Sequence, residues 1–117
     1  MSQKSPITTH VLDTSTGNPA AGLEVVLFQK TVGNDEIMIS TKTCNQDGRV
    51  GDLISHSRVW TPGIYRLRFA TGKYFSAKGQ KTFYPHSDVT FEVDDTSSHY
   101  HVPLLLSPFG YSTYRGS

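Results

Sequence analysis

The chain has 117 residues, with 11 Lys and Arg against 10 Asp and Glu and a formal net charge of +1. That length fits one compact domain over residues 1–117, able to bury a working core without a metal or disulfide staple. The near-neutral charge argues against nucleic acid or an anionic membrane surface as a partner.

The opening stretch Met1-Ser2-Gln3-Lys4-Ser5-Pro6 carries a single Lys with no apolar run behind it, so no cleaved secretory signal is expected. No run approaches the ~18 apolar residues of a membrane span, and a soluble, cytoplasmic protein is the expectation. Arg115-Gly116-Ser117 is not a Ser-Lys-Leu address, so a peroxisomal location in a eukaryote would need another route. Cys44, the one cysteine, has no disulfide partner and lacks the spaced Cys and His of a structural zinc site. It reads as an inert strand residue in a reducing compartment.

Short segments rich in β-branched and aromatic residues, separated by turn signals, read as a sandwich or barrel. Residues 7–13 form a first strand, closed by the polar turn Thr14-Ser15-Thr16-Gly17-Asn18-Pro19. A strand over 23–30 follows Gly22. Its centre, Val25-Val26-Leu27-Phe28, is apolar on both faces, which predicts burial on two sides with another subunit as the second cover. Gly33-Asn34-Asp35 turns the chain into a strand over 37–43, and Asn45-Gln46-Asp47-Gly48 turns it again before Arg49 begins a short strand or loop.

Beyond Pro62-Gly63, Tyr65, Leu67 and Phe69 alternate with Arg66 and Arg68 in a strand over 64–70, and Val89, Phe91 and Val93 alternate with Asp88, Thr90 and Glu92 in one over 88–93. The two arginines read as a solvated strand face and Trp60 as a packing or interface aromatic. Residues 74–82 are the one helical stretch, weakened by Gly79. A strand over 100–106 contains Pro103, which must lie at an edge or bulge because proline cannot donate to the ladder. A last strand covers 111–115 after Gly110.

Histidine suits proton transfer near neutral pH, and the chain has five: His10, His56, His86, His99 and His101. In strand geometry His99 and His101 share a face, roughly 6.6 Å apart along the chain, opposite the apolar row Tyr100, Val102, Leu104 and Leu106. A His-x-His pair permits metal binding, but no Asp, Glu or Cys at suggestive local spacing completes a site, so no metal is expected. There is no Gly-x-Ser-x-Gly elbow, phosphate-cradling glycine loop or dinucleotide fingerprint. These absences leave open water activation by histidine with arginine stabilising developing negative charge.

Three segments taken together carry a resemblance. Thr8-Thr9-His10-Val11-Leu12-Asp13-Thr14, running on to Gly17 and Pro19-Ala20-Ala21-Gly22, is similar to the opening of the transthyretin-like family. His101-Val102-Pro103-Leu104-Leu105-Leu106-Ser107-Pro108 resembles that family's penultimate strand and the turn leaving it. Tyr114-Arg115-Gly116-Ser117 is similar to the C-terminal signature of the 5-hydroxyisourate hydrolases within the family. The likeness covers nearly the whole chain.

The resemblance implies an all-β fold: a two-sheet transthyretin-like (prealbumin-like) sandwich of about eight strands with one short helix. It implies a homotetramer with sites at a central subunit interface. The reaction would be metal-independent, cofactor-free hydrolysis of 5-hydroxyisourate to 2-oxo-4-hydroxy-4-carboxy-5-ureidoimidazoline. The family's functional positions fall on His10, Arg49 and His101 as catalytic residues and on Tyr114, Arg115, Gly116 and Ser117 as substrate-binding residues, with the Ser117 carboxylate expected at the site. One of His10 and His101 would activate water for attack on the ring carbonyl, and Arg49 would stabilise the oxyanion or hold the anionic substrate. The alternatives are a non-catalytic small-ligand carrier on the same fold, which lacks this set of residues, or a β-sandwich binding module presenting its aromatics.

Overall fold

In the computed structural model, residues 5–55 and 58–117 are described; His56 and the opening residues 1–4 lie outside them. The order is β1 (Ile7–Asp13), β2 (Asn18–Pro19), β3 (Glu24–Lys30), β4 (Glu36–Thr43), β5 (Arg49–Val50), β6 (Gly63–Phe69), α1 (Thr71–Ala77), β7 (Ser87–Val93), β8 (Tyr100–Ser107) and β9 (Gly110–Thr113). One sheet runs β2-β1-β8-β9, with β5 also paired to β1, and the other runs β4-β3-β6-β7. Pairing is antiparallel except between β1 and β8, which run parallel. The all-β sandwich with one short helix expected from the sequence is therefore present.

Alternation builds the core. Ile7 and Val11 of β1, Tyr100, Val102, Leu104 and Leu106 of β8, Val25 and Leu27 of β3, and Tyr65, Leu67 and Phe69 of β6 are all buried between the sheets. Each such side chain contributes about 1.5–3 kcal/mol relative to exposure. Trp60 packs against this cluster, edge-on to Tyr65 at 5.8 Å and to Tyr100 at 6.1 Å.

Several details differ from the sequence expectation. Part of the second cover of β3 is intramolecular, because the Arg66 guanidinium lies 4.3 Å over the ring of half-buried Phe28. Arg66 is also held by Glu36 at 2.8 Å, and Arg68 by Asp88 at 3.0 Å. The helix covers 71–77 rather than 74–82, since the N–H groups of Gly79 and Gln80 turn back to the carbonyls of Ser76 and Phe75, a C-terminal stop. Pro103 is on neither an edge strand nor a bulge: β8 lies inside its sheet. The β9 ladder ends at the Leu104↔Thr113 pair and pairing resumes in the same register at His101↔Gly116, so proline occupies the gap. The Thr113 hydroxyl donates to the Pro103 carbonyl there at 2.6 Å. Cys44 lies one residue beyond β4; it is buried, and burial pushes its thiol up to about 12.

Candidate active site

Burial along β1 alternates strictly. Ile7, Thr9, Val11 and Asp13 face the interior, so Thr8, His10 and Leu12 face outward. In the adjoining β8, His101 and Leu105 fall on that outer face because Tyr100, Val102, Leu104 and Leu106 are buried. His10 stands opposite Arg49 in the β1/β5 pair, while Thr8 stands opposite His101 in the β1/β8 pair. Three sequence-selected residues from three strands thus share one sheet face. In the parallel β1/β8 ladder His10 pairs with Pro103 and His101 with Thr8, so the two histidines stand two register positions apart on adjacent strands of one face.

Arg49 owes its position to the turn before it. The Asn45 side-chain carbonyl accepts from the backbone N–H of Asp47 at 2.9 Å and of Arg49 at 3.0 Å. Gly48 has φ +73, and a Cβ there would lie 2.5 Å from the Val11 carbonyl oxygen, so the tight approach of this turn to β1 needs glycine. The Val11 N–H donates to the Gly48 carbonyl at 2.8 Å, docking the turn on β1.

The terminal tetrapeptide divides. The Gly116 N–H donates to the His101 carbonyl at 2.8 Å, and Gly116 lies against the His101 ring. Arg115 goes elsewhere: its guanidinium sits 4.5 Å over the Tyr100 ring and donates to the His99 carbonyl at 3.4 Å. Because Tyr100 is buried between the sheets, Arg115 clamps the inner edge of the sandwich rather than joining His10 and Arg49. Tyr114 is 59% exposed, and with Arg115 and His101 it borders a cavity of about 240 Å³ between the edge of β7 and the end of β9. Ser117 is exposed. A larger hollow of about 530 Å³ beside α1, lined by Leu23, Glu24, Lys73, Tyr74 and Lys78, contains none of the selected residues.

Thr8 was not singled out from sequence, and His99 only as half of a His-x-His pair. Thr8 Oγ1 lies 2.8 Å from His101 Nδ1 and 3.1 Å from His99 Nε2. The two rings are stacked, with centroids 6.4 Å apart and planes 12° apart. His99 Nδ1 lies 2.8 Å from the Ser5 carbonyl oxygen. Same-face placement of His99 and His101 was legible from their spacing; the threonine between them depends on the β1/β8 register. His86 is remote from this group and lies 3.6 Å from Asp88. Among the described residues no group of three or more His, Cys, Asp or Glu side chains could hold a metal ion, and no helix is long and apolar enough to cross a membrane.

The model of the HIUase/Transthyretin family matches residues 7–116. The 5-hydroxyisourate hydrolase of Salmonella dublin is 49% identical over 111 residues, covering 95% of this chain and 80% of that protein. Among solved structures, the 5-hydroxyisourate hydrolase of Klebsiella pneumoniae superposes with a TM-score of 0.83 at 32% identity, over 97% of this chain and 94% of that one. Sea bream transthyretin in complex with thyroxine superposes with a TM-score of 0.89 at 30% identity, over 95% and 94%.

Proposed function

The chain belongs to the HIUase/Transthyretin family, and on that premise we propose that it is a hydrolase acting on 5-hydroxyisourate in urate degradation. The fold alone does not choose between enzyme and carrier, since a hydrolase and a thyroxine-bound transthyretin superpose on it comparably. The curated relatives favour the enzyme, at 44–49% identity over nearly the whole chain. The observation that carries the site reading is the placement of His10, its register partner Arg49 and His101 on one outer sheet face.

In the proposed reaction, one of His10 and His101 takes a proton from water as the oxygen attacks a ring carbonyl carbon. Arg49 stabilises the oxyanion or holds the anionic substrate. The C–N bond of the cyclic amide then breaks, the ring nitrogen takes a proton, and 2-oxo-4-hydroxy-4-carboxy-5-ureidoimidazoline leaves. General-base assistance of this kind contributes about 10²–10⁴ in rate, and an oxyanion donor about 10²–10³. Tyr114, Gly116 and Ser117 form the substrate-binding wall, with Gly116 set against His101, while Arg115, turned onto Tyr100, holds the strand end in place rather than touching substrate.

A homotetramer is part of the proposal. Small-molecule sites bury most of their ligand, whereas His10 and Arg49 stand on a sheet surface outside the two hollows described above. The same face of a second copy would close the site. The direct test adds purified protein to 5-hydroxyisourate freshly generated by urate oxidase and follows its absorbance. Accelerated decay supports the reading, decay at the spontaneous rate removes it, and sedimentation of the same sample reports the assembly.

A further inference from the structure

We propose that Thr8 and His99 are positioning residues that fix the proton of His101 on Nδ1, so that Nε2 carries the lone pair that removes a proton from water. The proposal rests on reading this face as the hydrolase site, and it assigns the base that the site geometry leaves open between His10 and His101.

The Ser5 carbonyl can only accept, so at 2.8 Å His99 Nδ1 must donate. That carbonyl belongs to a fixed residue: Ser5 is buried and its hydroxyl donates to the Ile54 carbonyl at 2.8 Å. In the neutral form of His99, which carries one N–H, Nε2 accepts, and the partner at 3.1 Å is the Thr8 hydroxyl. Thr8 has only one proton to give. Its oxygen therefore accepts from His101 Nδ1 at 2.8 Å, and that nitrogen bears the hydrogen.

The polarity of this chain runs from the Ser5 carbonyl through His99 and Thr8 to His101, and its components come from segments more than 90 residues apart in sequence. The two rings lie nearly parallel, their planes 12° apart and their centroids 6.4 Å apart. Arg115 adds to the anchoring by donating to the His99 carbonyl while resting on Tyr100.

During the reaction a water O–H bond breaks and its proton goes to His101 Nε2, while the oxygen forms a bond to the carbonyl carbon. His101 is then an imidazolium whose Nδ1–H still donates to Thr8. As the C–N bond breaks, its electron pair goes to the ring nitrogen, which takes the Nε2 proton and returns His101 to its starting tautomer.

The test is two-bond 1H–15N NMR of the histidines in the folded full-length protein, paired with turnover of 5-hydroxyisourate. The wild type should show His101 protonated at Nδ1. Thr8→Val should mix or invert that tautomer and lower kcat by about 10²-fold, with a smaller change in KM. Thr8→Ser, which retains the hydroxyl, should restore the Nδ1–H signature and most of the lost kcat. His99→Phe removes the acceptor of the Thr8 proton and should shift His101 toward Nε2–H even if Thr8→Val fails to fold.

A wild-type His101 protonated at Nε2, or a folded Thr8→Val protein with unchanged tautomer and kcat, would overturn the proposal. Absence of any turnover in a wild type with the Nδ1–H signature would instead reject the hydrolase reading and leave the hydrogen-bond polarity standing.

Discussion

Gly116 lies directly against the imidazole of His101: its N–H donates to the His101 carbonyl at 2.8 Å, and a Cβ on Gly116 would collide with the ring carbon Cδ2. Pro103 closes the same space, its Cγ 3.2 Å from that Cβ position. Gly116→Ala must therefore move the strand end or turn the His101 ring. Misplacement of a reacting group by about 1 Å costs on the order of 10²-fold in rate. We expect that fall in kcat with a thermal midpoint close to wild type, read by steady-state kinetics and circular dichroism melting. Unchanged kinetics would show that the close packing does not bear on the chemistry.

Arg49 is placed by Asn45, whose side-chain carbonyl accepts from the Arg49 N–H at 3.0 Å. Arg49→Gln should lower kcat by about 10²–10³-fold. Arg49→Lys should recover part of the loss, since a lysine keeps the charge without the planar fork. Asn45→Ala should produce a smaller fall of the same kind by loosening the turn. Equal activity of Arg49→Gln and wild type in the decay assay would take Arg49 out of the mechanism.

Asp13 is fully buried, and Lys78 and Tyr74 both donate to it, at 3.1 and 2.9 Å. Burial opposes ionisation, but the hydrogen bonds of Ser15, Lys78 and Tyr74 outweigh it and hold the carboxyl below its ordinary value. A depressed folded value means that the stabilisation is present above the unfolded value of about 3.9 and is lost as pH falls through the folded one. Asp13→Asn should cost about 1–3 kcal/mol at neutral pH and flatten the acid limb of the stability curve. Chemical denaturation of both proteins from neutral to acid pH checks this; parallel curves would contradict it.

Cys44 should resist thiol reagents in the native state, since burial both blocks access and pushes its thiol up to about 12. Titration with a chromogenic disulfide should give no fast reaction until denaturant is added. Rapid labelling of the folded protein would show that the strand end opens readily.

The strand over 88–93 was legible because its apolar residues alternate with period two, and it matches β7 but for Ser87, while 7–13, read as a strand closed by a polar turn, matches β1. The helix was displaced because Gly79 was read as a weak interior residue, whereas it forms the stop. Pro103 was misplaced because a break in the partner strand, invisible from local sequence, satisfies proline as well as a sheet edge does. The site shows the same division. His10, Arg49 and His101 could be named from motifs, but their shared face follows from the antiparallel β1/β5 pairing of His10 with Arg49 and from the parallel β1/β8 pairing of segments more than 90 residues apart. Thr8 and the inward course of Arg115 follow from that register and from Tyr100, and no local pattern announces them.

The proposed hydrolysis of 5-hydroxyisourate is assigned to the outer face carrying His10, Arg49 and His101. Its most direct test is the absorbance decay of freshly generated 5-hydroxyisourate with the wild type, His10→Asn and His101→Asn at equal concentration, each shown to be folded and in the same assembly. Rapid decay is expected with the wild type, and a loss of about 10²-fold or more in each variant. Wild-type decay no faster than the spontaneous reaction, or near-normal decay with both variants, would contradict that assignment.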